Sequence, residues 1–182
     1  MGCSGGFLHS HVIITHMDII SHALMGGAIG MASESNLKDI LTVSAFSVLP
    51  DITQIPIYFK ISRQHNRLFW LPKHIDWGNK NYHDRYPSWA AVWEAPHSIF
   101  FLLFVVTPAV IYFNLPKMAI GSYFSHIFVD LFTHKSKWGI KPLWPFQYKF
   151  NGLTDTWVWQ FRGLVLSWLF FAIVLLLVRW FL

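Results

Sequence analysis

The segment SHIFVDLFTH, residues 125–134, sets the hardest condition on the fold, because His126, Asp130 and His134 recur every four residues inside an otherwise apolar run. At helical pitch that spacing stacks three polar side chains on one face, a turn apart. Ser122 extends the stripe by one more turn, while Ile127, Phe128, Val129, Leu131 and Phe132 keep the rest of the helix apolar. An ionised Asp at the centre of an apolar membrane helix costs roughly 2.5–3.5 kcal/mol on insertion scales, and an unpaired charge in a dry core costs more. The fold must therefore bring a compensating group to Asp130. Pairing with His126 or with solvent is one answer. A divalent cation held by imidazole nitrogen and carboxylate oxygen is the other, and this ligand set suits zinc, manganese or iron better than calcium or copper(I). Three further stretches favour the cation: Asp18 and His22 in MDIISHALMGG, Asp51 in VLPD, and His97 in EAPHS.

The solvent around these helices follows from composition. Of 182 residues, 54% are hydrophobic and 18% aromatic, with 10 Trp, and the mean hydropathy of +0.40 exceeds that of an ordinary soluble domain. Residues 164–178, LVLSWLFFAIVLLLV, carry no charge and predict a C-terminal transmembrane helix over 163–182. Residues 99–113 are as apolar but short for a full span, and Pro108 is expected to kink them. A single Cys excludes an internal disulfide and a Cys-based zinc site. Residues 1–16 have neither a basic segment nor a clean apolar core, so they read as an N-terminal extension with Met17 the functional start.

Two helical hairpins are expected between 17 and 162, the metal-binding helical domain. The first pairs residues 19–31 with 37–48, turning near Glu34 to Asn36 and stopping at Leu49-Pro50-Asp51. Gly26, Gly27 and Gly30 would let its helices approach closely. The second pairs residues 99–113 with 118–133 around Asn114-Leu115-Pro116-Lys117. Counting from each turn brings His22, Asp51, His97, Asp130 and His134 to one level at the open ends, provided that the hairpins dock. The expected architecture is thus an all-α integral membrane bundle of two hairpins and a C-terminal transmembrane helix.

Charge orients that bundle. Lys60, Arg63, Arg67, Lys73, Lys80 and Arg85 lie between the hairpins, and Lys135, Lys137, Lys141, Lys149 and Arg162 follow the second. Under the positive-inside rule the open ends, with the metal site, face the cytoplasm of a multi-pass inner-membrane protein. The loop over 60–93 interleaves these cations with aromatics, which reads as a surface segment on anionic headgroups or a lid over the site. Single-stranded nucleic acid could use the same chemistry. Membrane lipids suffice to explain it and the net charge of +5.

MDIISHALMGGAIG, LPDI, PHS and SHIFVDLFTHKSKWGIKPLWPF, in that order, resemble the bacterial membrane-bound metal-dependent hydrolase family known as YdjM-like, over Met17 to about Phe146. That family is similar, more remotely, to the zinc phospholipase C and P1 nuclease superfamily. The resemblance implies that Asp51, His97, His126 and Asp130 are ligands of one zinc ion, with His22 and a bridging Asp130 serving a second. Asp18 and His134 are further candidate ligands. Glu94-Ala-Pro departs from the His-Arg-Gly-hydroxyl that many relatives carry before this His, and the Asp51 to His97 connection is long.

Such a centre predicts hydrolysis of a phosphoester, phospholipid included, with Asp130 bridging and Asp51 or Asp18 accepting a proton from water. Glu94 is another candidate base, or an acid opening a helix. A membrane metal carrier would spread its ligands across the bilayer instead, and a haem bundle would not need the carboxylates. A non-catalytic protein with a structural metal uses the same residues.

Overall fold

The computed structural model describes residues 14–33, 36–64, 87–135 and 139–153, with part of a helix between 165 and 180; at 14–18 it describes the backbone alone. Among the described residues every regular element is helical and none is a strand.

Helix α1 (Ile14–Ala32) and helix α2 (Leu37–Ile52) form the first hairpin. Asn36 caps α2: its side-chain oxygen accepts from the Asp39 N–H at 3.0 Å, and its amide donates back to the Asp39 carboxylate at 2.9 Å. This satisfies N–H groups that a helix start leaves without partners. The close approach expected of the glycines occurs at two of them. A Cβ on Gly26 would stand 2.6 Å from the Ser47 Cβ, and one on Gly30 2.9 Å from the Ile40 Cα, whereas Gly27 faces open space. Helix α2 does not stop at Leu49-Pro50. It continues to Ile52 with Pro50 fully buried, so packing holds the backbone helical where a missing N–H would otherwise end it. Helix α3 (Ile55–Gln64) follows directly, and helix α4 (Pro87–Glu94) leads into the second hairpin. These two occupy the ends of the basic aromatic loop; its residues 65–86, including His65, His74 and His83, lie outside the described residues.

Helix α5 is built from Ile99–Phe101, a π-helical stretch Leu102–Val106, and Thr107–Tyr112. The wide turn, in which the Thr107 N–H reaches Leu102 O, stands just before Pro108. Pro108 has no N–H to donate and its ring would crowd a carbonyl one α-turn back, so the distortion expected at the proline is displaced into the preceding turn. The hairpin turns at Asn114, in the left-handed region with φ 50°. Bonds from Leu115 N–H to Val110 O (2.9 Å) and Asn114 N–H to Ile111 O (3.2 Å) close the helix end.

Helix α6 (Met118–Thr133) is the centre of the molecule. It packs against α1, α2 and α5, burying Ala119, Ser122, Tyr123, His126, Ile127 and Asp130 at helical spacing. The docking of the two hairpins, which sequence spacing left open, is made by this face. Ser122 Oγ donates to Val43 O of α2 at 2.8 Å, and Tyr123 OH donates to Pro96 O at 2.7 Å. The apolar core lies between α5 and α6: Leu102, Val106 and Val110 meet Ala119, Tyr123 and Ile127, closed by Trp93 and Ile140.

Beyond α6, residues 139–153 cross the open end as a strap. Ile99 N–H donates to Pro142 O at 2.8 Å, Gly152 N–H to His134 O at 2.9 Å, and Leu153 N–H to Phe132 O at 2.9 Å. Gly152 is required there, since a Cβ would stand 2.6 Å from His134 O. Among the described residues no helix is long and apolar enough to cross a membrane. Half of the residues of the C-terminal span expected at 163–182 lie outside them; Trp168, which is described, donates its indole N–H to Ser21 Oγ of α1 at 2.9 Å.

Candidate metal centre

Four chain segments meet at the open end of the hairpins. Helix α1 brings His22, α2 brings Asp51, the turn between α4 and α5 brings His97, and α6 brings His126 and Asp130, with His134 capping its last turn. One helical turn beneath this layer, toward the closed ends, stand Gly26, Ser47 and Ser122, in line below His22, Asp51 and His126. A Cβ on Gly26 would lie 2.6 Å from Ser47 Cβ and 2.9 Å from Ser122 Oγ. Small residues there let three backbones converge, and that convergence crowds the larger polar side chains above them.

Asp130, 1% exposed, divides its carboxylate between two groups of imidazoles. Its Oδ2 lies 3.1 Å from His126 Nε2 and 3.4 Å from His97 Nε2. Its Oδ1 lies 3.3 Å from His22 Nε2 and 3.5 Å from His134 Nδ1. Asp51 Oδ1 completes the first group, 3.6 Å from His97 Nε2 and 3.9 Å from His126 Nε2. Proximity here is not hydrogen bonding: both Asp130 oxygens, Asp51 Oδ2 and His126 Nε2 are buried without a hydrogen-bond partner among the described residues. Donor atoms are gathered, but they are not aimed at one another. The rings of His22 and His126 stack with centroids 3.8 Å apart.

The far sides of two rings explain the aim. His126 Nδ1 bonds Ser47 O at 2.6 Å, and His97 Nδ1 bonds Trp93 O at 2.7 Å. A carbonyl only accepts, so each Nδ1 carries a proton, and in the neutral ring, the form that binds a metal, it is Nε2 whose lone pair faces the centre. Metal-ligating histidines are held in this way, by a bond from the other ring nitrogen that sets tautomer and orientation. Burial pushes the His97 imidazole down, and the carboxylates of Asp51 and Asp130 more than offset this, holding it above the ordinary histidine range.

Ligands about 2.0–2.1 Å from a tetrahedral ion stand roughly 3.3 Å from each other, and the four imidazole–carboxylate distances between His97 or His126 and Asp51 or Asp130 run from 3.1 to 3.9 Å. Two sets have donor atoms within 4.8 Å of one another, His22 with His126 and Asp130, and Asp51 with His97 and His126. Oxygen and nitrogen donors without sulfur match zinc, manganese or iron.

A family model described as YdjM inner membrane protein matches residues 17–182. The chain belongs to that family. No curated protein and no solved structure matches it. The family description places its members in the inner membrane, which agrees with the composition and with the apolar outer faces of α5 and α6.

Of the residues singled out in the sequence, the structure brings together His22, Asp51, His97, His126, Asp130 and His134. Asp18 stands on α1 one turn before His22, and its side chain lies outside the described residues. Glu94, read as a candidate base, is held by the strap: Lys141 Nζ lies 2.9 Å from Glu94 Oε1 and donates to Gln147 Oε1 at 2.8 Å. Sequence reasoning missed the carbonyls of Ser47 and Trp93, because every residue carries that atom. The one available signal was their position, four residues before Asp51 and before His97.

Proposed function

We propose that this chain is a membrane-bound metal-dependent hydrolase that cleaves a phosphoester, with lipid phosphoesters the class within reach, from a multi-pass helical bundle whose metal centre opens toward the cytoplasm. The observation that carries the reading is Asp130: a carboxylate 1% exposed, with each oxygen turned to a different group of imidazoles. A buried charge so placed needs positive charge between the donors, and two such positions suit two ions, zinc being the best match to the donor set. Divalent cations at this centre would supply water acidified to a pKa of about 7 and a counter-charge for phosphoester oxygens.

The chain's own residues do the rest. Asp130 bridges the two groups and sets their separation. His97 and His126, tied at Nδ1 to backbone carbonyls, keep their Nε2 lone pairs directed inward. Asp51 is 13% exposed against 1% for Asp130, so it is the carboxylate at the accessible edge, where it accepts the proton of the attacking water. The strap, tied to the helix before His97 by the Lys141–Glu94 pair, narrows the open end.

The test is the metal content of detergent-purified protein beside His126→Ala and Asp130→Ala, with a screen of phosphodiesters and phospholipids. About stoichiometric metal in the wild type, lost in both variants, together with turnover, supports the reading. A wild type without bound divalent metal overturns it. Metal without turnover points instead to a structural centre, and uptake of metal into vesicles to a carrier.

A further inference from the structure

His97 is the one donor of its group that no helix carries. Asp51 stands on α2, and His126 and Asp130 on α6, whereas His97 lies in the turn over 95–98 between α4 and α5. A ligand must be held within about 0.5 Å of its working position, and a turn does not fix its own backbone as a helix does. The ties that fix this one come largely from the strap. Consecutive strap residues reach the two ends of the turn. Lys141 Nζ lies 2.9 Å from Glu94 Oε1 and 3.1 Å from Glu94 Oε2, and Pro142 O accepts from the Ile99 N–H at 2.8 Å. Ile140, just before them, is 1% exposed within the apolar core that includes Trp93. Between these ties Tyr123 OH donates to Pro96 O at 2.7 Å from the side of α6, and His97 Nδ1 bonds Trp93 O at 2.7 Å. The ion pair itself is withdrawn from water: Glu94 is 7% exposed, and Gln147 Oε1 accepts the third N–H of the Lys141 ammonium at 2.8 Å. Desolvation of two charges offsets much of their attraction, so such a pair stabilises a fold little more than an apolar pair of the same size. What the apolar pair lacks is direction, because a carboxylate and an ammonium meet in a defined geometry.

We propose that Lys141 is a positioning residue of the metal centre: through Glu94 it fixes the turn that aims His97, so that docking of the strap sets the affinity for the cation. The other end of the strap holds His134 in the same manner, with the Gly152 N–H donating to His134 O at 2.9 Å, and the Phe150 N–H closes the loop on Ile140 O at 2.9 Å. His97 faces Asp130 Oδ2 and His134 faces Oδ1. One loop therefore spans both groups of imidazoles. The inference rests on the metal centre of the proposed function and is independent of turnover.

Affinity for Zn2+, and the visible spectrum of Co2+ bound in its place, are measured on the detergent-purified full chain, beside the unfolding midpoint of the metal-free protein. Lys141→Met leaves the buried Glu94 carboxylate without this ammonium, so it is expected to lower both affinity and midpoint. Glu94→Met together with Lys141→Met removes both charges and keeps the bulk. The midpoint of this double variant is expected to return to the wild-type value or above, while Zn2+ affinity stays down about 10-fold or more and the Co2+ bands change in position or intensity. In a His97→Ala background the same double replacement is expected to change affinity no further, because its effect runs through His97. A double variant that regains wild-type affinity along with its midpoint overturns the proposal and leaves the pair a matter of stability alone. An equal loss of affinity in the His97→Ala background overturns it too, since the strap would then act on another donor. Both of those outcomes leave the metal reading standing. A wild type that binds neither ion overturns that reading and this proposal together.

Discussion

Asp130 concentrates the energetics of this molecule in one side chain. Its carboxylate serves both groups of donors, whereas His134 faces only Oδ1 and His97 only Oδ2 among the approaches described. The variants should separate accordingly. Asp130→Asn keeps the shape, removes the charge, and is expected to lose bound metal from both positions, with affinity down at least about 100-fold. His134→Ala is expected to retain the metal held by Asp51, His97 and His126, so its metal content falls by no more than half. Metal analysis on the two purified variants checks this, and equal losses would sink the division of labour. The stripe itself was legible in the sequence, since an acid at helical spacing from two histidines in an apolar run has few other uses. The allocation of each oxygen was not, because it depends on which helices dock against α6.

At the scale of the element, glycines on one helix have opposite roles. A methyl at Gly26 would meet Ser47 Cβ at 2.6 Å and the Ser44 Cα at 2.8 Å, and backbone atoms cannot swing aside. Gly26→Ala is therefore expected to cost about 1–3 kcal/mol by forcing α1 away from α2. It should also weaken metal binding, because the displaced residue is the one whose carbonyl holds His126. Gly27→Ala, in open space, should leave stability unchanged or raise it by up to about 1 kcal/mol through helix propensity. Unfolding midpoints and metal occupancy measured side by side distinguish the two. The hairpins were readable from polar turns at Asn36 and Asn114 between apolar runs. Two proline effects were not: Pro50 is overruled by burial, and the distortion from Pro108 moves a turn upstream into Leu102–Val106. Local propensity marks where a helix is weak, and packing decides where the weakness is expressed.

For the whole molecule, a cation held by residues of α1, α2, α6 and the turn at His97 would bind only the folded arrangement, and so would stabilise it. Free metal at 100 times its dissociation constant contributes about 2.7 kcal/mol. Chelation should therefore lower the unfolding midpoint of the wild type, added zinc should restore it, and Asp130→Asn should respond to neither. A wild-type midpoint indifferent to chelator would show that the hairpins hold together without the centre. Residue spacing puts the ligands at one level within each hairpin but says nothing about how the hairpins dock, because docking rests on small contacts such as Ser122 Oγ on Val43 O. The two carbonyls behind His126 and His97 carry a consequence for how such a chain can drift. Main-chain atoms survive any substitution that preserves the backbone path, so Ser47→Ala or Trp93→Phe should leave the imidazoles oriented as before. The apparatus that points the ligands is thus shielded from point mutation, and descendants of this chain are free to change the residues behind their histidines while inheriting the same centre.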